Sequence, residues 1–293
     1  MDSLAVTLAV AALLLGAVAD LLYRVAQQRG IDAPNFIFWQ STIFTAIIWG
    51  VAVSSWGVFG DDGPVDFIHR STWLYGVPAG VFGYLGLTLF VASLRTGDAS
   101  VNAPIFRLNF VVTALGAIVI LGESAEPIKL GGILLAVLAV LVLLNITQIS
   151  AIRSDLRSIL LAVAASGFFG VAGLISKAGL DTGDIGAIPM VLTQTVGFQQ
   201  AAIITLLRRR NFSITRPVAQ FAPGIAVIQV TWAVLLFESL RIGDASISYP
   251  IVQMSFVITA VLAVIFLKEE MNWSKGGGLV LAIIAVAVLG LAG

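Results

Sequence analysis

The sequence predicts an all-α integral membrane protein of ten transmembrane helices, arranged as two inverted five-helix repeats. Three observations carry this. Of 293 residues, 59% are hydrophobic and 11% charged, with a mean hydropathy of +1.02, too little charge to cover a soluble surface. Apolar stretches of roughly 20 residues, the length that crosses a bilayer core, recur along the whole chain. Finally, the chain repeats itself. Ser93-Leu-Arg-Thr-Gly-Asp-Ala-Ser100, followed by Pro104, returns as Ser239-Leu-Arg-Ile-Gly-Asp-Ala-Ser246, followed by Pro250. The spacing is 146 residues (244 − 98) and holds without a gap through Phe110/Phe256, Thr113/Thr259, Glu123/Glu269 and Lys129/Lys275.

Taken in order, the expected spans lie near 4–26, 36–56, 73–94, 101–121 and 130–149, then 158–178, 187–207, 218–240, 247–267 and 276–292. The breaks between them carry turn chemistry: Arg29-Gly30 to Pro34, Gly60 to Pro64, Gly97-Asp98, Glu123 to Pro127, Asp181 to Asp184 and Gly243-Asp244. Trp56, Trp73 and Trp273 fall at span ends, where an amphipathic ring favours the headgroup layer. The N-terminal run lacks a basic leader and a small-residue cleavage site, so it reads as a retained first helix. Glycines Gly76/Gly80, Gly167/Gly170, Gly131-Gly132 and Gly276 to Gly278 read as points of close helix packing.

The repeat divides the chain into residues 1–150 and 151–293. An odd helix count per repeat starts the second half on the opposite side of the membrane, which inverts it. One orientation places eleven Lys and Arg, including Arg208 to Arg210, on the cytoplasmic side, against Arg70, Lys129, Lys177 and Arg241 in the other. The positive-inside rule then puts the N-terminus outside.

Composition excludes several functions. A net charge of +0 gives no electrostatic case for nucleic acid, and the absence of cysteine removes disulfides, thiolate metal sites and cysteine catalysis. The lone His69 lacks partners for a metal site and reads as an interfacial residue. No cluster of acid, base and metal ligands suits an enzyme, and no cofactor is implied.

The Gly97-Asp-Ala-Ser100 entry with Pro104, the Leu121-Gly122-Glu123 ending and the Gly131-Gly132 start resemble the EamA family of the drug/metabolite transporter superfamily. The second copy departs from this in Lys268, which stands where the first has Gly122. The resemblance implies a ten-helix transporter in the cell (inner) membrane that moves amino acids, other metabolites or drugs, often outward. It also implies cytoplasmic termini, against the charge count.

Polar groups at membrane depth are costly and mark function or pairing. Arg107 lies about two turns inside the fourth span, and its repeat mate is Gln253, so the two are expected to face one another. A guanidinium in a cavity suits a carboxylate or phosphate; the other reading is a structural ion pair. Asp20, on one helical face with Arg24, is a partner for Arg107 or a carrier of a coupling proton; the other reading is an interfacial pair with Arg24, its heads in water. Arg107, Asp20, Arg24 and Glu238 sum to zero, and Glu238 has Arg241 three residues on. Gln40, Tyr84, Asn102, Trp232 and Tyr249 complete the candidate substrate-binding set, each of which also reads as a helix-to-helix contact.

Asp98 and Asp244 read as helix N-caps and Glu123 and Glu269 as capping or loop-anchoring groups. Pro104 and Pro250 invite a bend beside the site. The expected function is a secondary transporter, an exporter, of an amino acid or other carboxylate-bearing solute. Its partners are that solute and membrane lipid. One chain is sufficient and a homodimer is compatible. A drug or nucleotide-sugar-like carrier and a non-transporting accessory subunit are the alternatives.

Overall fold

A computed structural model describes residues 3–55, 70–97, 99–143, 156–209, 213–268 and 273–292. Trp56, the Gly60–Pro64 turn, His69, Asp98, Arg210 and Glu269 lie outside the described residues. The first repeat contains α1 (Ser3–Gln28), α2 (Ala33–Ser55), α3 (Arg70–Thr96), α4 (Ala99–Arg107), α5 (Asn109–Ile120) and α6 (Pro127–Leu143). The second contains α7 (Leu156–Leu180), α8 (Ala187–Arg209), α9 (Arg216–Ile242), α10 (Ala245–Gln253), α11 (Ser255–Leu267) and α12 (Trp273–Ala292). Together, among the described residues, they form ten apolar spans; nine are long enough to cross a bilayer, and Pro127–Leu143 is shorter.

The fourth and ninth spans are each two helices in line. They break at Leu108 and Met254, one residue after Arg107 and Gln253. At each break the chain tightens: Leu108 N–H bonds Ile105 O at 3.1 Å and Met254 N–H bonds Ile251 O at 3.0 Å, three residues back instead of four. Pro104 and Pro250 lie four residues earlier and cannot donate to the ladder. The interruption that accompanies the prolines therefore falls at the polar residues, a turn beyond the rings.

The two sequence repeats interleave in space. α1 packs along α9 and against both α10 and α11, while α7 packs the same way along α3 and against α4 and α5. α2 lies on α9, α8 lies on α3, and α6 pairs with α12. The interfaces are built from small residues such as Ala9, Ala12, Ala114, Ala117, Ala282 and Ala285, all within 2% of complete burial. Large apolar side chains such as Val119, Ile120 and Leu291 point outward, and Trp273 is 97% exposed at the start of its span. That inside-out pattern is what a lipid solvent selects.

Backbones touch where α3 crosses α8. A Cβ on Gly80 would stand 2.1 Å from the Gln194 carbonyl oxygen, and one on Gly197 would stand 2.2 Å from that of Val77. Gly76, Gly132, Gly170 and Gly278 are likewise packed tightly against neighbouring helices. Gly131, Gly167 and Gly276 have open space beside them, so close approach does not account for those three.

The Gly122/Lys268 difference has a backbone meaning. Gly122 has φ +78° and Lys268 has φ +57°, so the same left-handed turn ends both spans. A side chain there is strained by roughly 1–2 kcal/mol. Lys268→Gly is therefore expected to raise the melting temperature of the purified protein, with a gain of about 1 kcal/mol.

One capping assignment is corrected. Asp244 occupies the N-cap position of α10, but its carboxylate makes no cap hydrogen bond. It is drawn instead to the Lys129 ammonium, 2.7 Å away. The orphan N–H groups of α10 are capped by Glu123, whose oxygens accept from Ala245 N at 2.7 Å and Ser246 N at 2.9 Å.

Candidate substrate-binding site

The two helix breaks bring Arg107 and Gln253 together at the middle of the molecule. Arg107 Nη1 donates to Gln253 Oε1 at 3.2 Å, and Nη2 donates to Asp20 Oδ2 at 2.5 Å. Gln253 Nε2 donates in turn to Asn109 Oδ1 at 2.8 Å, and Asn109 Nδ2 to the Phe106 carbonyl at 2.8 Å. Ser255 Oγ closes the group, 3.5 Å from Asp20 Oδ2. Donors and acceptors run in one direction through this chain, so each amide has a defined orientation.

The local sequence explains the arrangement. Asn109, the first residue of α5, turns its side chain back across the break to the Phe106 carbonyl of α4. Arg107 ends α4, where a cation meets the negative end of the helix dipole. Asp20 comes from α1, which lies against α10 and α11.

Arg107 and Asp20 keep 24% and 27% of their side-chain surface exposed. A sealed structural ion pair at this depth would be closed to solvent; this one has an open edge. Trp232 borders it: a Cβ on Gly16, one turn before Asp20, would stand 3.2 Å from Trp232 Nε1 and 3.2 Å from Ser255 Cβ. The centre is thus a charged pair with amide, hydroxyl and indole neighbours. It can exchange its internal bonds for bonds to a solute bearing complementary charges.

The remaining candidates stand elsewhere. Gln40 belongs to a closed ring in which Tyr23 Oη donates to Gln40 Oε1 at 3.0 Å. Gln40 Nε2 donates to Gln229 Oε1 at 2.6 Å, and Gln229 Nε2 returns to Tyr23 Oη at 3.2 Å. Tyr84 turns to α8, donating to Thr205 Oγ1 at 2.5 Å and meeting Phe198 edge-on. Asn102 is fully buried and ties α4 to the Ser93 carbonyl and Ser158 Oγ, both at 3.0 Å. Tyr249 packs its hydroxyl against Gly173. Glu238 is held by Arg241 in an exposed pair, away from the Asp20–Arg107 ion pair.

Tyr23 was the ring member that sequence reasoning passed over. On the opening helices of the second repeat, Gln194 Nε2 donates to Ser176 Oγ at 2.7 Å, so both repeats tie their first two helices through a glutamine.

The EamA-like transporter family profile matches residues 3–145 and again residues 156–291. This chain belongs to the EamA-like transporter family. An uncharacterized protein of Methanocaldococcus jannaschii is 30% identical over 135 residues, covering 46% of this chain and 96% of that relative. That relative has the length of one five-helix repeat, the unit that occurs twice here. A crystal structure covering 100% of this chain and 98% of its own superposes with a TM-score of 0.74 at 17% identity, which shows the fold alone. The EamA-like transporter is thus a multi-pass membrane protein of the drug/metabolite transporter type, whose ligands are small-molecule substrates and lipid.

Proposed function

We propose that this EamA-like transporter is a secondary carrier that moves an amino acid or other small carboxylate-bearing solute by alternating access. The observation that carries the reading is the Arg107 guanidinium, held by Asp20 and Gln253 with about a quarter of its surface open. Two of its five N–H groups serve these partners. A substrate carboxylate can take the fork geometry in place of Asp20, and the carboxylate of Asp20 then suits a substrate ammonium. An α-amino acid offers both charges at once. Trp232 supplies an apolar wall for its side chain.

Both repeats contribute to this centre, so one chain suffices to enclose it. The reading places the protein in the cell membrane and its flux outward. The charge count puts the N-terminal end of α1 outside.

Counterflow into proteoliposomes tests the reading. Vesicles preloaded with an unlabelled amino acid mixture are expected to accumulate labelled amino acids, whereas the corresponding methyl esters, lacking the carboxylate charge, are not expected to compete. Equal competition by esters, or uptake of organic cations alone, overturns the assignment.

A further inference from the structure

A second charged cluster lies outside the substrate centre, at the membrane face where α1 begins. Glu123, in the turn after α5, is bound to the start of α10 by Ala245 N, Ser246 N and Ser246 Oγ at 2.7, 2.9 and 2.5 Å. Lys129, 1% exposed, bonds Asp244 Oδ2 at 2.7 Å and the Ser124 carbonyl and hydroxyl at 2.9 and 2.7 Å. Lys177 bonds Asp181 at 2.6 Å and the terminal carbonyls of α9 at Leu240 and Gly243, at 3.0 and 2.9 Å. It also lies 3.9 Å from Glu123. The first repeat supplies Glu123 and Lys129, and the second supplies Lys177, Asp181 and Asp244. The cluster borders a cavity of about 510 Å³ at that face.

Two observations distinguish this cluster from passive glue. In the sequence three of these charges have a like-charged mate 146 positions away in the other repeat: Asp98 for Asp244, Glu269 for Glu123 and Lys275 for Lys129. Arg24 lies near the end of α1 as Lys177 lies near the end of α7, outside that exact register. Inversion assigns the mates to the opposite membrane face, where α1 ends and α12 begins. Packing, however, differs between the faces. At the N-terminal face α10 packs on α5 and α6, and α9 packs on α7. At the opposite face, among the described residues, α4 has no comparable packing on α11 or α12, nor α3 on α1. Equal charge sets with unequal packing are what one bistable element shows when caught at one of its two ends.

We propose that Glu123, Lys129, Lys177 and Asp244 form a latch that closes the N-terminal face and that must break for that face to open. Opening parts the Glu123 carboxylate from the N-terminus of α10 and the Lys129 ammonium from Asp244. It also withdraws Lys177 from the end of α9. Buried ion pairs suit such a part, because they fix a geometry strongly while adding little net stability over hydrated alternatives. The proposal rests on alternating access, but on no particular substrate.

The test is the distance between spin labels in the cysteine-free chain, without substrate. One pair, Ala125→Cys with Arg241→Cys, reads the N-terminal face; another, Arg95→Cys with Trp273→Cys, reads the opposite face. Glu123→Gln is expected to lengthen the first distance and shorten the second, raising the fraction with an open N-terminal face roughly tenfold or more, as loss of a charge-assisted hydrogen bond implies. Lys129→Met/Asp244→Leu, which leaves no orphan charge, is expected to act in the same direction and guards against misfolding of the first variant. Unchanged distances in both variants overturn the latch. So does broadening at the N-terminal face with no response at the other, the mark of a local anchor. Because no solute is present, failure here is separate from failure of the substrate assignment.

Discussion

Replacing Arg107 by alanine is expected to reduce amino acid counterflow in proteoliposomes by roughly a hundredfold, the scale of losing a bidentate charge-assisted contact to a substrate. The substitution also leaves the Asp20 carboxylate without its ion-pair partner at membrane depth. A fully buried orphan of this kind costs about 3–5 kcal/mol. Asp20 retains 27% exposure, so a smaller loss, about 2 kcal/mol, is expected in the melting temperature of the same preparation. Arg107→Lys keeps the charge but loses the planar fork. It is expected to restore most of the stability while raising the solute concentration needed for half-maximal flux.

A second large effect is expected where no charge is involved. Gly80→Val places its Cβ 2.1 Å from the Gln194 carbonyl oxygen and 2.9 Å from Phe198 N, which are backbone atoms that cannot rotate aside. α3 and α8 must separate, and the glycine contact at Gly197 opens with them. Overpacking in cores costs about 1–3 kcal/mol, and a backbone-to-backbone contact belongs at the upper end. Thermal unfolding in detergent is expected to show the loss directly. Gly83→Ala on the same helix, where nothing lies within 4 Å, is expected to leave the melting temperature close to wild type.

The scaffold was legible in the sequence because its two strongest signals, span length and exact-register repetition, are local to a window. The same repetition located the pairing of Arg107 with Gln253, since an inverted repeat brings mates to its own axis. Asp20 was legible as an ionisable group needing a partner. The helix breaks were legible through Pro104 and Pro250, although they fall at Leu108 and Met254, four residues further on.

What escaped was non-local. Asp244 looks like a cap because it precedes a helix, yet the cap comes from Glu123, separated from Ser246 by 123 positions. Nothing in the neighbourhood of either residue encodes that distance. Tyr84, Asn102 and Tyr249 read equally well as ligands or as helix contacts. Which of these they become depends on the facing residue, such as Thr205, Ser158 or Gly173, and so on tertiary packing.

The central claim is that Arg107 contacts the solute as well as pairing with Asp20. The most direct measurement is flux and melting temperature, made together, on the neutral double variant Asp20→Asn/Arg107→Gln. Removing both charges leaves no orphan at membrane depth, so stability is expected to return close to wild type while amino acid counterflow stays lost. Recovery of flux along with stability would show that the pair serves the fold alone, and would contradict the account.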